Sequence, residues 1–278
     1  MQPDIRKFDM KPVFIEGIGI SGPGIENWQQ ARSALLSEQP GFDQELIISA
    51  DLSLPANERR RASRLSKIAL QVAGEAINSS ILQADEVATV FTSSCGDLEI
   101  AHKICTALTM EAKPVSPIQF HNSVHNAQAG YWAISQHAHN VSNSISACAD
   151  SFAMGLLEAL TLIEVEQVPV LLVACDRPAP VPLYNAGMSR YEFAVAMLIS
   201  PHRSDSFMAV LEGDLVAKQS VDAAVNVCEN KALEPLRKAC PAAMALPLLE
   251  ALAISGQHVI SLDCPGQTCM QIKVDVCA

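Results

Sequence analysis

Positive charge and aromatic side chains are both scarce in this sequence, and the shortage of positive charge excludes whole classes of partner. Aromatic residues make up 5% of the 278 positions, and 19 lysines and arginines stand against 30 acidic residues, for a net charge of -11. A chain with that charge repels phosphate backbones and anionic lipid. We therefore expect no nucleic-acid partner.

Long apolar runs are missing as well. No run approaches the roughly 20 apolar residues that a helix needs to cross a bilayer. The polar opening, residues 1–4, lacks the apolar core of a secretory signal. The sequence therefore predicts a cytoplasmic protein without a membrane span.

The cysteine pattern argues against disulfides and metal binding. The nine cysteines are odd in number and include no Cys-x-x-Cys pair, as expected of reduced thiols. Cys264 and Cys269 are isolated from other ligand-type residues. His121 and His125 are four residues apart, but no glutamate follows His121 as in the metalloprotease pattern, so we interpret both as hydrogen-bonded helix or interface histidines. We expect neither a metal nor a cofactor.

What the sequence does contain is a repeated order of buried strand, small-residue turn and helix, which indicates an α/β fold. The clearest helix has apolar residues at i, i+3, i+4 and i+7 positions from Leu65 to Ile77. The helix at 148–163 is apolar nearly all round and is predicted to be central and buried. The predicted strands lie at 13–19, 87–91, 141–147 and 168–175, and the predicted helices at 28–36, 61–77, 97–108 and 148–163.

The last third of the sequence predicts two antiparallel hairpins. Strands 193–200 and 207–213 are separated by a short polar turn, and strands 258–262 and 269–276 flank Pro265 and Gly266. We divide the chain into residues 1–213 and a smaller portion, residues 214–278, that packs on the same core. One compact unit is the alternative.

The segment from Ser144 to Ser151, with Cys148 in the middle and the apolar helix behind it, resembles the strand-to-helix elbow of β-ketoacyl synthases. Segments 13–19, 61–77, 116–130 and 171–174 resemble other elements of that family, so the resemblance spans about residues 13–200. Residues 120–126 and 151–159 are similar to the short chain length factors found with aryl polyene synthases.

This resemblance implies a thiolase-like fold, in which layers α/β/α form the N-terminal half of a ketosynthase and the second half is strongly reduced. It also implies the partner and the pathway. The chain would heterodimerise with an active β-ketoacyl synthase, which builds a conjugated, polyketide- or fatty-acid-like chain from malonyl units on acyl carrier protein.

Cys148 is the residue that matches the ketosynthase nucleophile, and the start of a helix favours a thiolate. Condensation also needs two histidines, and downstream of Cys148 only His202 and His258 occur, in settings unlike those of the family. Asp150 would further disfavour a thiolate. We therefore interpret Cys148 as an inert, small, buried side chain and expect no independent activity.

Two other functions stay open. One is a small thiolase-fold acyltransferase or thioesterase that uses Cys148, with His121 or His125 as the base. Cys95 is a further candidate nucleophile, because it also lies between a strand and a helix, but no base for it is evident. The second open function is a scaffold that binds the same partner without influencing product length.

The chain length factor hypothesis assigns residues to two surfaces. The strand ending at Ala147 would pair edge to edge with its ketosynthase counterpart, which would protect an exposed edge. Bulky side chains nearby would wall the partner's acyl tunnel. The tunnel and interface candidates are Phe120, His121, His125, Tyr131, Trp132, Ser146, Ala147, Cys148 and Asp150. The only dense basic cluster, a candidate surface for an acidic carrier protein, is Arg59, Arg60, Arg61, Arg64 and Lys67.

Overall fold

The computed structural model describes residues 10–38, 44–49, 53–184, 188–220 and 227–277, so the polar opening at 1–4 lies outside it. The strands are β1 (Val13–Ser21), β2 (Ala88–Thr92), β3 (Ser142–Ile145), β4 (Val170–Asp176), β5 (Phe193–Ser200), β6 (Ala209–Ala217), β7 (Gly256–Asp263) and β8 (Thr268–Val276). The helices are α1 (Trp28–Leu35), α2 (Ala56–Arg61), α3 (Arg64–Asn78), α4 (Leu98–Thr109), α5 (Pro117–Asn122), α6 (Ala127–Gln136), α7 (Ser151–Glu166), α8 (Val181–Tyr184), α9 (Glu234–Ala239) and α10 (Leu246–Ala253).

All eight of these strands belong to one mixed sheet in the order β3-β2-β4-β5-β1-β6-β8-β7. Strand β2 is parallel to both of its neighbours, β3 and β4. Every other pair is antiparallel. The two edges of the sheet are therefore β3, which leads to Cys148, and β7, which belongs to the C-terminal hairpin.

The central strands are apolar on both faces because helices cover both faces of the sheet. In β4, Val170, Leu172 and Ala174 belong to the core under α7 and α10. The intervening Leu171, Val173 and Cys175 belong to a second core with α3 and α6. Strands buried on both faces read as continuous apolar runs. The predicted α/β/α layering is confirmed.

The close packing of α3 on β1 depends on two glycines. A Cβ at Gly17 would lie 2.1 Å from the carbonyl oxygen of Ala76, and one at Gly19 would lie 2.0 Å from that of Val72. The Glu75 carboxylate adds polar anchors, because it accepts hydrogen bonds from the backbone amides of Ile20 at 2.9 Å and Trp28 at 2.6 Å. Helix α3 thus lies directly on the backbone of β1.

The prediction that strands 193–200 and 207–213 form a hairpin is wrong. Both strands exist, as β5 and β6, but each is antiparallel to β1, which lies between them. Turn length is a local signal, whereas the insertion of β1 is a contact between distant parts of the sequence. The C-terminal hairpin of β7 and β8 is confirmed.

Two predicted helices differ from the structure at their starts. The helix predicted over 61–77 is divided, because the side chain of Ser63 caps a new helix by accepting a hydrogen bond from the amide of Ser66. The helix predicted from Cys148 begins at Ser151, and a 3₁₀ turn, Cys148–Asp150, precedes it. Helix α7 is also less buried than predicted, since Val165 and part of its surface reach solvent.

The C-terminal portion continues the same sheet and core. Strand β6 pairs with β1 at its start and with β8 along its whole length, so the boundary drawn after residue 213, which stays a prediction, falls within this strand. One face of β8 is buried through Met270, Ile272 and Val274, as its alternating sequence predicts. Within the described ranges, the model contains no helix long and apolar enough to span a bilayer.

Candidate functional site

The elbow at Cys148 is exposed and has an unusual backbone. Cys148 has a φ of +51°, in the left-handed region that non-glycine residues seldom adopt. Ser151 stabilises the turn, because its hydroxyl accepts from the amide of Ala147 at 3.0 Å and donates to the carbonyl of Cys148 at 2.8 Å. The side chain of Cys148 is exposed. The expectation of a small buried thiol in the first turn of an α-helix is therefore wrong.

Exposure of this elbow follows from its place at the edge of the sheet. It comes directly after β3, whose one strand partner is β2. Ser146 is exposed, and Ala147 and Asp150 are half-buried. Burial raises the pKa of Asp150, and the nearby Asp263 raises it further while Lys218 lowers it. A salt bridge joins Lys218 to Asp263 beside the elbow.

A second turn, residues 93–96, lies against the elbow. The hydroxyl of Ser146 donates to the carbonyl of Ser94 at 2.6 Å, and Cys95 in the same turn is half-buried with its thiol 3.6 Å from the sulfur of Met188. Burial raises the pKa of the Cys95 thiol. A raised thiol pKa lowers the thiolate fraction of Cys95 at neutral pH, so Cys95 is not the thiol that we expect to react first.

The buried carboxylate of Asp176 holds this turn in place. One oxygen accepts from the hydroxyl of Ser93 at 3.1 Å and from the amide and hydroxyl of Ser94 at 2.9 and 2.7 Å. The other oxygen accepts from the amide of Ala242 at 2.9 Å. Asp176 thus joins the end of β4, the turn beside the elbow and the C-terminal portion. The sequence contains no motif that indicates this role.

Asp176 should make the stability of the protein depend on pH. Burial outweighs the four hydrogen bonds and raises its pKa from 3.8 to about 6. Because the folded state then binds the proton more tightly, the contribution of Asp176 to the free energy of unfolding falls as pH rises through 6. We expect a fall of about 1–2 kcal/mol between about pH 5 and pH 7.5. Urea unfolding at both pH values measures it.

The matched variants are Asp176→Asn and, at an exposed position, Asp85→Asn. An asparagine has one acceptor oxygen, so it cannot accept from the amides of both Ser94 and Ala242, and we expect a loss of about 2–3 kcal/mol at pH 7.5. The loss should be larger at pH 5, where wild type gains from protonation. A loss that is equal at both pH values would contradict the raised pKa. Asp85→Asn should change little at either pH.

The described histidine rings make no hydrogen bond to Cys148, although His125 lies against the neighbouring turn at 93–96. All seven histidines lie in the described ranges. The ring of His125 lies 3.3 Å from the carbonyl oxygen of Ser93, and the ring of His121 packs edge-on against Tyr131 at 6.2 Å. His202 lies in the turn after β5, and the ring of His258 is 3.0 Å from the carbonyl of Ile254. No hydrogen bond joins any of these described rings to Cys148.

The described surface beside β3 is rich in exposed apolar side chains. Helix α6 contacts β2 and β3, α5 is joined to α6 by the hydrogen bond between Tyr131 and Asn122, and α4 contacts α5. Phe120 is the largest of the exposed apolar side chains, with 66% of its surface accessible. We call the set the apolar surface; it consists of Leu108, Met110, Ile118, Phe120, Val124, Ile134 and Val141.

Two of the predicted tunnel candidates are part of the chain's own core. Tyr131 and Trp132 are each 2% accessible and pack with α3 and the central strands. The hydroxyl of Tyr131 donates to Asn122 at 2.9 Å, and Asn122 donates to the carbonyl of Arg61 at 2.7 Å. Their bulk therefore serves the chain's interior, and they present little surface to another protein.

The basic cluster is divided between two environments. Arg59, Arg60 and Arg61 are exposed on α2, where Arg61 pairs with Glu58 at 3.2 Å. Arg64 on α3 is committed elsewhere, because it binds both oxygens of Glu192 at 2.6 and 2.7 Å. Lys67 is half-buried.

Glu192 is the centre of an ion-pair network. It also accepts from Arg177 at 2.8 Å. Burial alone would raise the pKa of Glu192, but the two arginines outweigh burial and lower it. Arg64 is therefore held in a structural role, whereas the three arginines of α2 are exposed.

Within the described part of the chain, no group of three or more histidine, cysteine or acidic side chains is placed to hold a metal ion. Cys264 and Cys269 are both buried. Burial raises the pKa of Cys264 to about 11, so its sulfur is a neutral thiol at physiological pH.

Comparison with known proteins adds to this geometry. Residues 27–252 match the family model described as the β-ketoacyl synthase N-terminal domain. None of the curated protein sequences matches the chain. A solved ketosynthase in complex with its chain length factor, from Xenorhabdus doucetiae, is 25% identical, with a TM-score of 0.69, over 95% of this chain and 99% of that chain.

Two further structures share the fold at lower identity. The ishigamide ketosynthase/chain length factor is 12% identical, with a TM-score of 0.70, over 96% of this chain and all of that chain. The second is the structure of a type II polyketide synthase acyl-carrier protein in complex with its ketosynthase bound to the hexaketide. One chain of that structure is 13% identical, with a TM-score of 0.73, over 96% of this chain and 100% of that chain. These likenesses confirm the predicted ketosynthase-type fold.

Proposed function

Because the chain belongs to the family of β-ketoacyl synthase N-terminal domains, we propose that it is a chain length factor, a non-catalytic subunit that pairs with an active ketosynthase. In the pair it would shape the acyl tunnel of its partner while that enzyme extends an aryl polyene-type chain on acyl carrier protein in the cytoplasm. The likeness to a ketosynthase in complex with its chain length factor supports this choice.

The observation that carries the proposal is that, among the described residues, no histidine ring is hydrogen-bonded to Cys148. Decarboxylation of a malonyl thioester leaves an enolate that hydrogen-bond donors must stabilise, and condensing enzymes of this family use two histidines for it. The ring of His125 contacts the carbonyl of Ser93, the ring of His121 packs against Tyr131, and the ring of His258 lies beside the carbonyl of Ile254. A thiol without that pair can at most accept an acyl group.

The pairing surface would be the edge of β3 together with the apolar surface. An edge strand offers unpaired backbone groups to another strand, and exposed apolar patches mark sites of association. Strand β3 has four residues and lies beside both the elbow and helix α6. Edge-to-edge pairing with the equivalent strand of a ketosynthase would cover both features at once.

Phe120 is the tunnel candidate that the geometry favours, because it is large and exposed while Tyr131 and Trp132 are buried. Phe120→Ala should lengthen the products of the complex, since a smaller side chain leaves more room at the tunnel's end. Mass spectrometry of the released chains measures this. The matched control is Ile81→Ala, an equally exposed apolar residue on the turn after α3. An unchanged product distribution in an intact complex would remove Phe120 from the tunnel wall.

The exposed arginines of α2 are the proposed contact for an acidic carrier protein. Arg59, Arg60 and Arg61 lie on one short helix of an otherwise acidic chain. Such a patch would mainly speed the encounter with a negative partner, and its influence should weaken with salt. His121, His125, Ser146 and Ala147 remain candidates for the interface beside β3.

A second function is kept because Cys148 is exposed and has a positive φ at a strand-to-helix turn. That placement is compatible with a small acyltransferase or thioesterase in which Cys148 carries the acyl group. The two functions differ in what they require of the thiol. A chain length factor needs no reactive sulfur at this position.

Cys148→Ala separates the two functions. In a complex with a ketosynthase, we expect the variant to retain at least about half of the elongation rate, because the missing histidines already exclude condensation at Cys148. A covalent enzyme would instead lose at least about 100-fold, since no nucleophile remains. Turnover of malonyl thioesters by the assembled complex is the measurement. Cys105→Ala, an exposed cysteine on α4, is the control for cysteine loss.

A further inference from the structure

Two cysteines lie at the same distance beyond the ends of two neighbouring parallel strands. Thr92 of β2 is paired in register with Ile145 of β3. Cys95 follows Thr92 by three residues, and Cys148 follows Ile145 by three residues. Both cysteines therefore lie at the same end of the sheet, in the turns that follow two adjacent strands.

Hydrogen bonds keep the two segments together beyond the ends of the strands. The amide of Ser93 donates to the carbonyl of Ile145 at 3.3 Å, and the hydroxyl of Ser146 donates to the carbonyl of Ser94 at 2.6 Å. Neighbouring strands lie about 4.8 Å apart. Disulfides join Cα atoms that are about 4.4–6.8 Å apart. At the ends of β2 and β3, the spacing between the two segments is therefore within the range of Cα separations that a disulfide can join.

The two thiols differ in their exposure to solvent, as expected of a pair in which one thiol is oxidised first and the other then reacts with it. Cys148 is exposed and can meet a small oxidant first, while Cys95 is half-buried against Met188. The two groups also interact electrostatically. Burial raises the pKa of Cys95, and the nearby Cys148 raises it further. Five other cysteines are buried, and exposed Cys105 and Cys277 lie on α4 and after β8.

We propose that Cys95 and Cys148 are a redox-sensitive pair that hydrogen peroxide converts to an intramolecular disulfide. The Cys148 thiolate attacks one peroxide oxygen, and the O–O bond breaks to give a sulfenic acid and, after protonation, water. The Cys95 sulfur then attacks the sulfenic sulfur, an S–S bond forms, and a second water leaves. Each peroxide is reduced to two waters while two thiols are oxidised.

The bond would change the elbow in two ways. It would draw Cys95 away from Met188 and fix the turn at 93–96 to the elbow at Cys148. It would also remove the one exposed thiol of the elbow, so that acyl groups or alkylating agents could no longer reach it. This inference needs no partner subunit and holds for either proposed function.

The test uses the full chain, reduced and freed of reductant, then treated with hydrogen peroxide. Peptide mapping under non-reducing conditions should find a Cys95–Cys148 crosslink, with the loss of two hydrogen atoms from the intact mass. Labelling of Cys148 by iodoacetamide should fall by at least about tenfold and return after reduction. Cys105→Ser should leave the crosslink unchanged.

Variants of the pair keep the proposal falsifiable even if one replacement disturbs folding. Cys95→Ser should abolish the crosslink and let a sulfenic acid accumulate at Cys148, where dimedone traps it. Met188→Leu keeps both thiols and removes the sulfur contact of Cys95, so it should form the crosslink at least as fast. Oxidation of Cys148 to a sulfinic acid with Cys95 still reduced, a disulfide between two chains, or no oxidation of either thiol would each overturn the proposal.

Discussion

Replacing Ser144 by proline is expected to abolish association with a ketosynthase while the chain stays folded. In a parallel sheet, successive residues direct their backbone groups alternately to the two sides of the strand. The carbonyl of Val141 accepts from Thr89 of β2 and that of Ile145 from Ser93, just after β2, so by alternation the amide of Ser144 points away from β2, towards the open edge. Proline at Ser144 therefore removes a donor on the proposed pairing side.

The fold should tolerate this proline for the same reason. Proline is accepted at edge strands when the missing N–H does not serve the ladder. Asn143, the residue before it, is already extended within β3, as a residue before proline should be. We therefore expect a normal thermal unfolding transition for the isolated variant.

Affinity for the ketosynthase should fall by at least about 100-fold, which corresponds to about 2.7 kcal/mol. Co-purification and titration with the partner measure it. Ser144→Ala should bind as wild type, and Asn143→Pro should instead destabilise the fold, because its amide faces β2 by the same alternation. Unchanged binding of the Ser144→Pro variant would show that the edge of β3 is not the pairing surface.

Much of the fold could be predicted because its signals are local. Strands β4 and β5 are apolar at every position except the last, so both faces of each strand need to be covered. Helix α3 has one apolar stripe, and β8 alternates. The pairing of β5 and β6 with β1 could not be predicted in this way. It depends on where a strand from the start of the chain inserts, and no local pattern records that.

The candidate site was predicted in kind but not in detail. The segment around Cys148 predicted a strand, a turn and a helix, and the structure has all three. The exposure of Cys148 was not predicted, although the strand before it was expected at an edge, because the cysteine was assigned to the buried helix that follows. Tyr131 and Trp132 were candidates because of the resemblance and their size, and neither tells a core side chain from an interface one. Asp176 was missed because its role depends on the distant Ser94 and Ala242 amides.

Gly19→Ala is expected to destabilise the protein strongly. The new Cβ would lie 2.0 Å from the carbonyl oxygen of Val72 and 2.8 Å from its carbonyl carbon. Both are backbone atoms of α3, so no side-chain rotation can relieve the contact. Moving α3 outward would pull the Glu75 carboxylate from the amides of Ile20 and Trp28. We expect a loss of about 3 kcal/mol or more, at the upper end of overpacking effects.

Gly74→Ala is the matched control, because Gly74 lies in α3 itself and a Cβ there meets nothing within 4 Å. Alanine in an open helical position should raise the free energy of unfolding by about 0.5–1 kcal/mol. Each variant thus adds one methyl group, at Gly19 between β1 and α3 or at Gly74 on an open position of α3. The expected changes in the free energy of unfolding have opposite signs. Urea unfolding of both measures the difference. If Gly19→Ala unfolded at the same urea concentration as Gly74→Ala, then α3 would not rest on the backbone of β1, and the cover of one face of the sheet would have to be different.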